Sequence, residues 1–253
     1  MDEFIEITET ETGRQVKFID SRAYTKNGET YYPGISAILD VVSKGSFYDK
    51  WLMSNGLNAQ VLAKEAMNQG SRVHEAVQDL NNGKQVEFGT IEGGAKYTRK
   101  EWELINRYFD FYTGFKPDIM AVEKVLVSDI LGFGSQLDLV VRLNDKIIIV
   151  DLKTGSLYDS AWIQLSAYRA LWNEFFPKIK IDAVAVLHLE AQTRGRDKAN
   201  KNIQGKGWKL EFAEDVDRDY EDFKAIHQIW IRKNPAWKPF NETFPATLKL
   251  NKE

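Results

Sequence analysis

The spacing of hydrophobic and polar residues changes near residue 119. Residues 1–33 alternate polar and apolar positions around Gly13 and an Asn27-Gly28 pair, which predicts a small N-terminal β-meander. Helical spacing then dominates, because apolar residues recur at positions 62, 66, 73, 77 and 80 and again at 102, 105, 108, 109 and 112. The first half of the chain is therefore predicted to be mainly helical after its β-meander.

From residue 119 the period becomes two, as in a β-strand. The residues at positions 119, 121, 123, 125 and 127 are expected to share one face of that strand. The elements predicted after it are strands over 137–143 and 146–153, a helix over 159–176, strands over 183–189 and 207–212, and a helix over 215–232. This order predicts an α/β or α+β fold with a mixed sheet.

The composition is that of a globular protein, with 28% charged and 43% hydrophobic residues among 253, and it predicts one domain with elaborations. A formal net charge of −3 means that any nucleic-acid contact requires a local basic patch. The chain has no cysteine, which excludes disulfides, thiolate zinc sites, iron–sulfur clusters and cysteine nucleophiles and fits a reducing cytoplasm. The acidic start and the short apolar runs predict neither a signal peptide nor a membrane span.

Two aspartates in the predicted hairpin are expected to face each other. If Asn144-Asp145 is a two-residue turn, counting back along both strands places Asp138 opposite Asp151. Opposed Cβ atoms lie about 4.5–5.5 Å apart, where like charges repel, and the apolar run 147–150 marks this strand as buried. A divalent cation would compensate the repulsion, and ligation by oxygen suits Mg²⁺ or Mn²⁺.

Lys153 is predicted on the same face as Asp151, because side chains alternate along a strand. Two carboxylates and one ammonium group could hold a metal ion, lower the pKa of its bound water and stabilise an oxyanion, as phosphodiester hydrolysis requires. A structural alternative stays open: an ion pair between Asp151 and Lys153 at a sheet edge, with Asp138 only capping a turn.

The chain carries four motifs in a fixed order. They are Gly70 to Glu75, Asp138, Asp151-Leu152-Lys153-Thr154-Gly155 and Gln164-x-x-x-Tyr168. In this order they resemble the PD-(D/E)XK nuclease superfamily in its RecB-like exonuclease branch, which includes AddAB-type nuclease domains, mitochondrial genome maintenance exonuclease and phage exonucleases. The resemblance spans about residues 31–212 and implies a restriction-endonuclease-like core: a mixed central sheet flanked by helices, with an N-terminal β and helical elaboration.

The same resemblance implies one nuclease domain over residues 1–253. Its helical part with the histidine motif would occupy 1–115, its core 116–235 and a tail 236–253. The implied metal ligands are His74, Asp138, Asp151 and the backbone carbonyl of Leu152.

Further roles follow from the resemblance. Lys153 would position or activate the attacking water, and Gln164 and Tyr168 would frame the site and contact DNA. Glu75 and Glu123 would lie behind the ligands. Glu123 could also bind a second metal ion, and an ordinary ion pair with a neighbouring lysine stays open as the alternative for this residue. The residues expected to contact DNA near the site are Arg72 and Thr154. Where family members commonly carry glycine three residues before the first aspartate, this chain has Ser135.

A basic loop is predicted between the last two strands. Its net charge of +4 comes from Arg194, Arg196, Lys198, Lys201, Lys206 and Lys209 against Glu190 and Asp197. Beside an acidic metal site, such a flexible loop could clamp a phosphate backbone, although a solvated hairpin tip is the alternative. His188 and His227 are expected to be structural.

The main functional hypothesis is a Mg²⁺- or Mn²⁺-dependent DNA exonuclease acting in recombination, repair or phage replication. Its expected partners are single-stranded DNA or duplex ends and, for recombination, a further protein, without a membrane. The expected location is a cytoplasm, with a bacterial or phage gene. Two alternatives stay open: a non-catalytic nucleic-acid-binding or assembly subunit that keeps the fold, and a structure-selective endonuclease.

Overall fold

A computed structural model describes residues 6–17, 22–42, 45–89, 94–196, 198–199 and 201–239. The strands in this part of the chain are β1 (Glu6–Thr10), β2 (Gly13–Lys17), β3 (Arg22–Thr25), β4 (Tyr32–Pro33), β5 (Asp118–Ser128), β6 (Phe133–Leu143), β7 (Lys146–Lys153), β8 (Ala183–His188), β9 (Arg194–Arg196), β10 (Asn202–Gln204) and β11 (Lys209–Phe212). The helices are α1 (Ile35–Leu39), α2 (Ser46–Asn55), α3 (Ala59–Asn81), α4 (Arg99–Phe115), α5 (Ser160–Phe175) and α6 (Val216–Lys233). None of these helices is long and apolar enough to span a membrane.

A five-stranded sheet in the order β11-β8-β7-β6-β5 forms the centre of the fold. Strands β7 and β8 are parallel and joined by α5, while the other neighbours are antiparallel, so the sheet is mixed as predicted. One apolar cluster lies between the sheet and α1, α5 and α6, and a second lies between the sheet and α3 and α4. The α/β class with helices on both sides of a mixed sheet is thus confirmed.

The hairpin of β6 and β7 has the predicted register. Asn144 and Asp145 have φ angles of +50° and +62°, as a two-residue turn of this kind requires, and Leu143 pairs with Lys146. The ladder continues as far as Leu139 opposite Val150. Beyond that pair the next two residues are Asp138 and Asp151, so the two aspartates follow the last paired residues of adjacent strands.

Strand β5 departs from the predicted alternation. A bulge shifts its register between Ile119 and Ala121, and Glu123 has a φ of +47°. As a result Ile119 packs in the α3–α4 cluster, Ala121 packs against the α5–α6 cluster, and Val125 packs with the N-terminal strands. The expectation that these positions share one face is therefore wrong, because the bulge and the left-handed residue change the facing of the strand.

The predicted N-terminal meander is present as a four-stranded antiparallel sheet, β1-β2-β3-β4. It packs on β5 and β6: the hydroxyls of Thr10 and Thr12 donate hydrogen bonds to the carbonyl of Val125, and Gly34 bridges Gly134. The predicted basic loop contains a short antiparallel hairpin of β9 and β10, and β11 then pairs with β8 as expected.

Candidate metal centre

Asp138 lies in the gap where β6 and β7 separate. Its Oδ2 accepts a hydrogen bond of 2.7 Å from the backbone N–H of Leu152, two positions beyond the last residue of β7 that pairs with β6. The side chain is 12% exposed, so this carboxylate is accessible to solvent over a small part of its surface. Because the N–H and C=O of one strand residue point to the same side, the carbonyl of Leu152 is also directed towards this gap.

Glu123 approaches Asp138 from the neighbouring strand. The pairs Val122 with Leu139 and Lys124 with Leu137 bracket Glu123 opposite Asp138. Glu123 has a left-handed backbone conformation, with a φ of +47°. At a residue other than glycine this conformation costs about 1–2 kcal/mol, and such strained residues are found most often at functional sites. Three adjacent strands thus carry three acidic residues side by side.

His74 completes a compact group of possible ligands. Its Nδ1 lies 3.5 Å from Oδ1 of Asp138 and 3.7 Å from Oε1 of Glu123, and one ligand atom from each of the three residues lies within 4.8 Å of the others. Helix α3 holds the imidazole there by burying Val73 and Val77 in the core. Burial disfavours the imidazolium, but the charges of Asp138 and Glu123 outweigh it and raise the pKa of His74 well above its ordinary value.

Asp151 is 2% exposed and lies beside Lys153, whose Nζ is 2.8 Å from its Oδ2. That contact is ionic and lacks hydrogen-bond geometry, and Oδ2 has no hydrogen-bond partner among the described residues. Burial raises the pKa of Asp151 to about 6, with Asp138 adding to the rise and Lys153 opposing it. Burial lowers the pKa of Lys153, but Asp151 and Asp138 reverse this and raise it, so the side chain is an ammonium group at neutral pH.

Gln164 and Tyr168 lie behind Lys153 on one face of α5. Lys153 Nζ donates to Gln164 Oε1 at 3.1 Å, and Gln164 Nε2 donates to the Tyr168 hydroxyl. The Tyr168 residue is 3% exposed, and burial together with Asp151 and Asp138 raises the pKa of its phenol well above the ordinary value. Tyr168 is therefore a neutral, interior phenol that contacts the site through Gln164.

The remaining predicted residues near the site are placed differently. Arg72 forms an ion pair with Glu101, with Nη2 at 2.6 Å, and Glu101 belongs to the capping box that begins α4. Thr154 contacts α3, because its Oγ1 would lie 3.1 Å from a Cβ atom added at Gly70. Glu75 is exposed and lies outside the group formed by His74, Glu123 and Asp138.

The basic loop begins next to Lys153. The N–H of Leu189 donates to the carbonyl of Lys153 at 2.8 Å, and Arg107 Nη1 donates to the carbonyl of Leu189 at 2.8 Å, so the base of the loop is fixed to α4. The loop residues with exposed side chains include Arg194, Lys198 and Lys201. The side chain of Arg196 lies outside the described residues. His188 Nε2 donates a hydrogen bond to the Gly155 carbonyl at 2.8 Å, and His227 packs among aromatic rings of the core.

Sequence analysis missed the residues behind Tyr168. Ser135 and Tyr24 are buried there, the first on β6 and the second on β3 of the N-terminal sheet. Tyr24 belongs to a distant segment of the chain, and no local pattern indicates its position.

The donor set fits a divalent cation. Three carboxylates and one ammonium group give a net charge of −2 when His74 is neutral, the form in which histidine binds metals. Asp151 lies outside the group of three residues whose ligand atoms meet, and its Oδ2 faces the Lys153 ammonium group at 2.8 Å. Imidazole and carboxylate ligands together suit Mn²⁺ as well as Mg²⁺.

The chain is similar in structure to solved proteins, whereas comparisons of its sequence find no match. No family model and no curated protein matches the chain. Among solved structures, the chain is similar to the crystal structure of a "putative exonuclease" from Eubacterium rectale, with 13% identity over 74% of this chain and 77% of that chain and a TM-score of 0.40.

Proposed function

We propose that this chain is a Mg²⁺- or Mn²⁺-dependent DNA nuclease of the PD-(D/E)XK type that hydrolyses phosphodiester bonds as an exonuclease. The observation that carries the proposal is the meeting of His74, Glu123 and Asp138 within ligand distance of one another, next to the ion pair of Asp151 and Lys153 on the neighbouring strand. One buried carboxylate beside two partly buried ones is unfavourable for the fold by itself, because like charges in a low-dielectric environment repel each other.

Each residue of the cluster has a chemical role in this proposal. His74, Glu123, Asp138, Asp151 and the carbonyl of Leu152 would hold the metal ion. A bound dication lowers the pKa of its water and offsets negative charge on the phosphate. Lys153, as an ammonium group, donates hydrogen bonds to a phosphate oxygen or orients the attacking water, and Gln164 fixes its direction.

The basic hairpin supplies the DNA contacts of the proposal. It starts beside Lys153, and its arginine and lysine side chains would bind the backbone next to the scissile phosphate. A role in recombination, repair or phage replication and a partner protein for recombination belong to the proposal in the same way.

The proposal is tested by digestion of end-labelled linear DNA with Mg²⁺ or Mn²⁺. Asp138→Asn and Lys153→Met should each lower the rate by roughly 10²–10³-fold, as loss of a transition-state contact does. A matched control is Asp182→Asn, because Asp182 also caps a strand N–H, that of Ile147 at 2.8 Å, but at the opposite end of β7. Wild-type activity in Asp138→Asn, or an equal loss in Asp182→Asn, would contradict the assignment.

Closed circular DNA separates the modes of action. Digestion of linear DNA with circular DNA left intact supports an exonuclease, whereas cutting of both supports an endonuclease. Metal binding without cleavage of either substrate would favour the non-catalytic subunit.

A further inference from the structure

A cleft with a positively charged lining lies at the base of the β9–β10 hairpin. It has a volume of about 760 Å³, and Arg194, Lys206 and Lys209 are among the residues that line it. The three side chains are exposed, and none of the lining residues that the structure describes is acidic. With three cationic side chains and no acidic one, the lining suits an anionic ligand.

The base of the hairpin is attached to helix α4. Trp208 Nε1 donates a hydrogen bond to Asp110 Oδ2 at 2.7 Å, and Arg107 Nη1 donates to the carbonyl of Leu189 at 2.8 Å. Gly207 has a φ of +76°, and a Cβ atom added there would lie 2.5 Å from Cζ of Arg107. The backbone therefore passes the guanidinium group so closely that only glycine fits at this position.

The two sides of the cleft are also joined to each other. Thr193 accepts a hydrogen bond at its Oγ1 from the N–H of Gly207 at 2.6 Å, and its carbonyl accepts one from the N–H of Gly205 at 3.1 Å. Lys206 Nζ lies 3.4 Å from the centroid of the Trp208 ring, which is a cation–π contact. The lining is therefore held in place before a ligand binds, and this reduces the entropy that is lost on binding.

Lys209 relates the cleft to the candidate metal centre. It is the register partner of His188 across β11 and β8, and His188 is the register partner of Lys153 across β8 and β7. Because register partners point to the same face of a sheet, Lys209 and Lys153 share one face. They are two strand spacings apart, which is about 10 Å. One strand of DNA advances by about 3.4 Å along the helix axis per nucleotide, so this separation corresponds to about three nucleotides.

We propose that this cleft is a subsite for a phosphate group of the DNA strand that is cut. This inference rests on the proposed function, in which the scissile phosphate lies beside Lys153. Arg194, Lys206 and Lys209 donate hydrogen bonds to the oxygens of a phosphate about three nucleotides away from the scissile one. Contacts with phosphate groups carry no information on base sequence, so the cleft accepts strands of any sequence. Its contribution is to hold the strand and not to assist the chemical step.

The test measures the binding of a labelled single-stranded oligonucleotide in EDTA by fluorescence anisotropy. The double variant Arg194→Gln/Lys209→Gln should bind roughly 10-fold more weakly than the wild type. Its plot of log affinity against log salt concentration should be shallower by about 0.7 for each phosphate contact that is lost. The matched control is Lys146→Gln/Lys180→Gln, which removes two exposed charges near the starts of β7 and β8 and should bind DNA like the wild type.

Digestion assays show which step the cleft affects. In Arg194→Gln/Lys209→Gln the KM for linear DNA should rise about 10-fold with kcat within about 2-fold, because the lost contact is made equally in the ground state and the transition state. Hydrolysis of bis(p-nitrophenyl) phosphate, a diester with a single phosphate group, should proceed at the wild-type rate because this substrate does not reach the cleft.

Three results would overturn the inference: unchanged DNA affinity in Arg194→Gln/Lys209→Gln, an equal loss of affinity in the control variant, or slower hydrolysis of bis(p-nitrophenyl) phosphate in Arg194→Gln/Lys209→Gln. Failure of the proposed function gives a different result. If the wild type binds DNA but hydrolyses neither substrate, the proposed function fails, and the anisotropy titrations still decide whether the cleft binds the phosphate groups of DNA.

Discussion

Individual residues of the candidate metal centre have a strained backbone or a buried charge. Glu123 adopts a left-handed backbone inside a strand, and the buried Oδ2 of Asp151 has Lys153 as its ion-pair partner but no hydrogen-bond donor among the described residues. Both features lower the stability of the fold, so their concentration around Asp138 indicates that this region serves function. No sequence pattern predicts the left-handed backbone of Glu123, because glutamate does not favour φ angles above zero.

His227 gives a pH dependence that is independent of the metal centre. It packs between Phe133 and Trp230, and burial lowers its pKa below the ordinary value of 6.5. The unfolded chain therefore binds a proton that the folded chain does not, so this residue makes stability fall as pH drops below 6.5 towards the folded pKa. Urea unfolding at pH 8 and pH 5.5 should show a smaller loss of stability for His227→Phe than for the wild type, and an equal loss would contradict this.

Among the elements, the β6–β7 hairpin was the most predictable. Its turn residues favour positive φ angles, which fixes the turn length and hence the register. The juxtaposition of Asp138 and Asp151 was therefore available from sequence. The bulge in β5 was not, because a bulge depends on pairing with the neighbouring strand rather than on a local pattern.

Helix α3 carries His74. The distance between this helix and the loop that joins β7 to α5 depends on Gly70. A Cβ atom at Gly70 would lie 3.1 Å from Thr154 Oγ1, whereas at Gly114 of α4 it would meet no atom within 4 Å. Gly114→Ala should therefore stabilise the protein by about 0.5–1 kcal/mol in urea unfolding, through helix propensity alone. Gly70→Ala should gain less stability. It should also slow DNA digestion, because Gly70 lies one helical turn before His74 and the added methyl group would displace α3 at that point. Equal gains in stability and equal digestion rates in the two variants would refute this.

At the scale of the whole molecule, the sequence predicted the mixed sheet and its helices but not the attachment of the N-terminal sheet. The β-meander was expected from local alternation, yet its position against β5 and β6 depends on contacts more than 100 residues apart, such as Thr12 with Val125 and Gln15 with Gln136. Local spacing carries no information on such contacts. The grouping of Glu123 with His74 and Asp138 could not be predicted for the same reason, since α3 and β5 meet only in the folded chain.

Calorimetric titration with Mn²⁺ tests the central claim most directly. The wild type should bind Mn²⁺, and Asp138→Asn, Asp151→Asn and His74→Gln should each weaken the affinity at least about 10-fold, because each removes a ligand. Binding of DNA in EDTA should change much less in His74→Gln. Asp182→Asn should bind Mn²⁺ like the wild type. If the three site variants bind Mn²⁺ as tightly as the wild type, or the wild type binds none, the buried carboxylates do not form a metal centre.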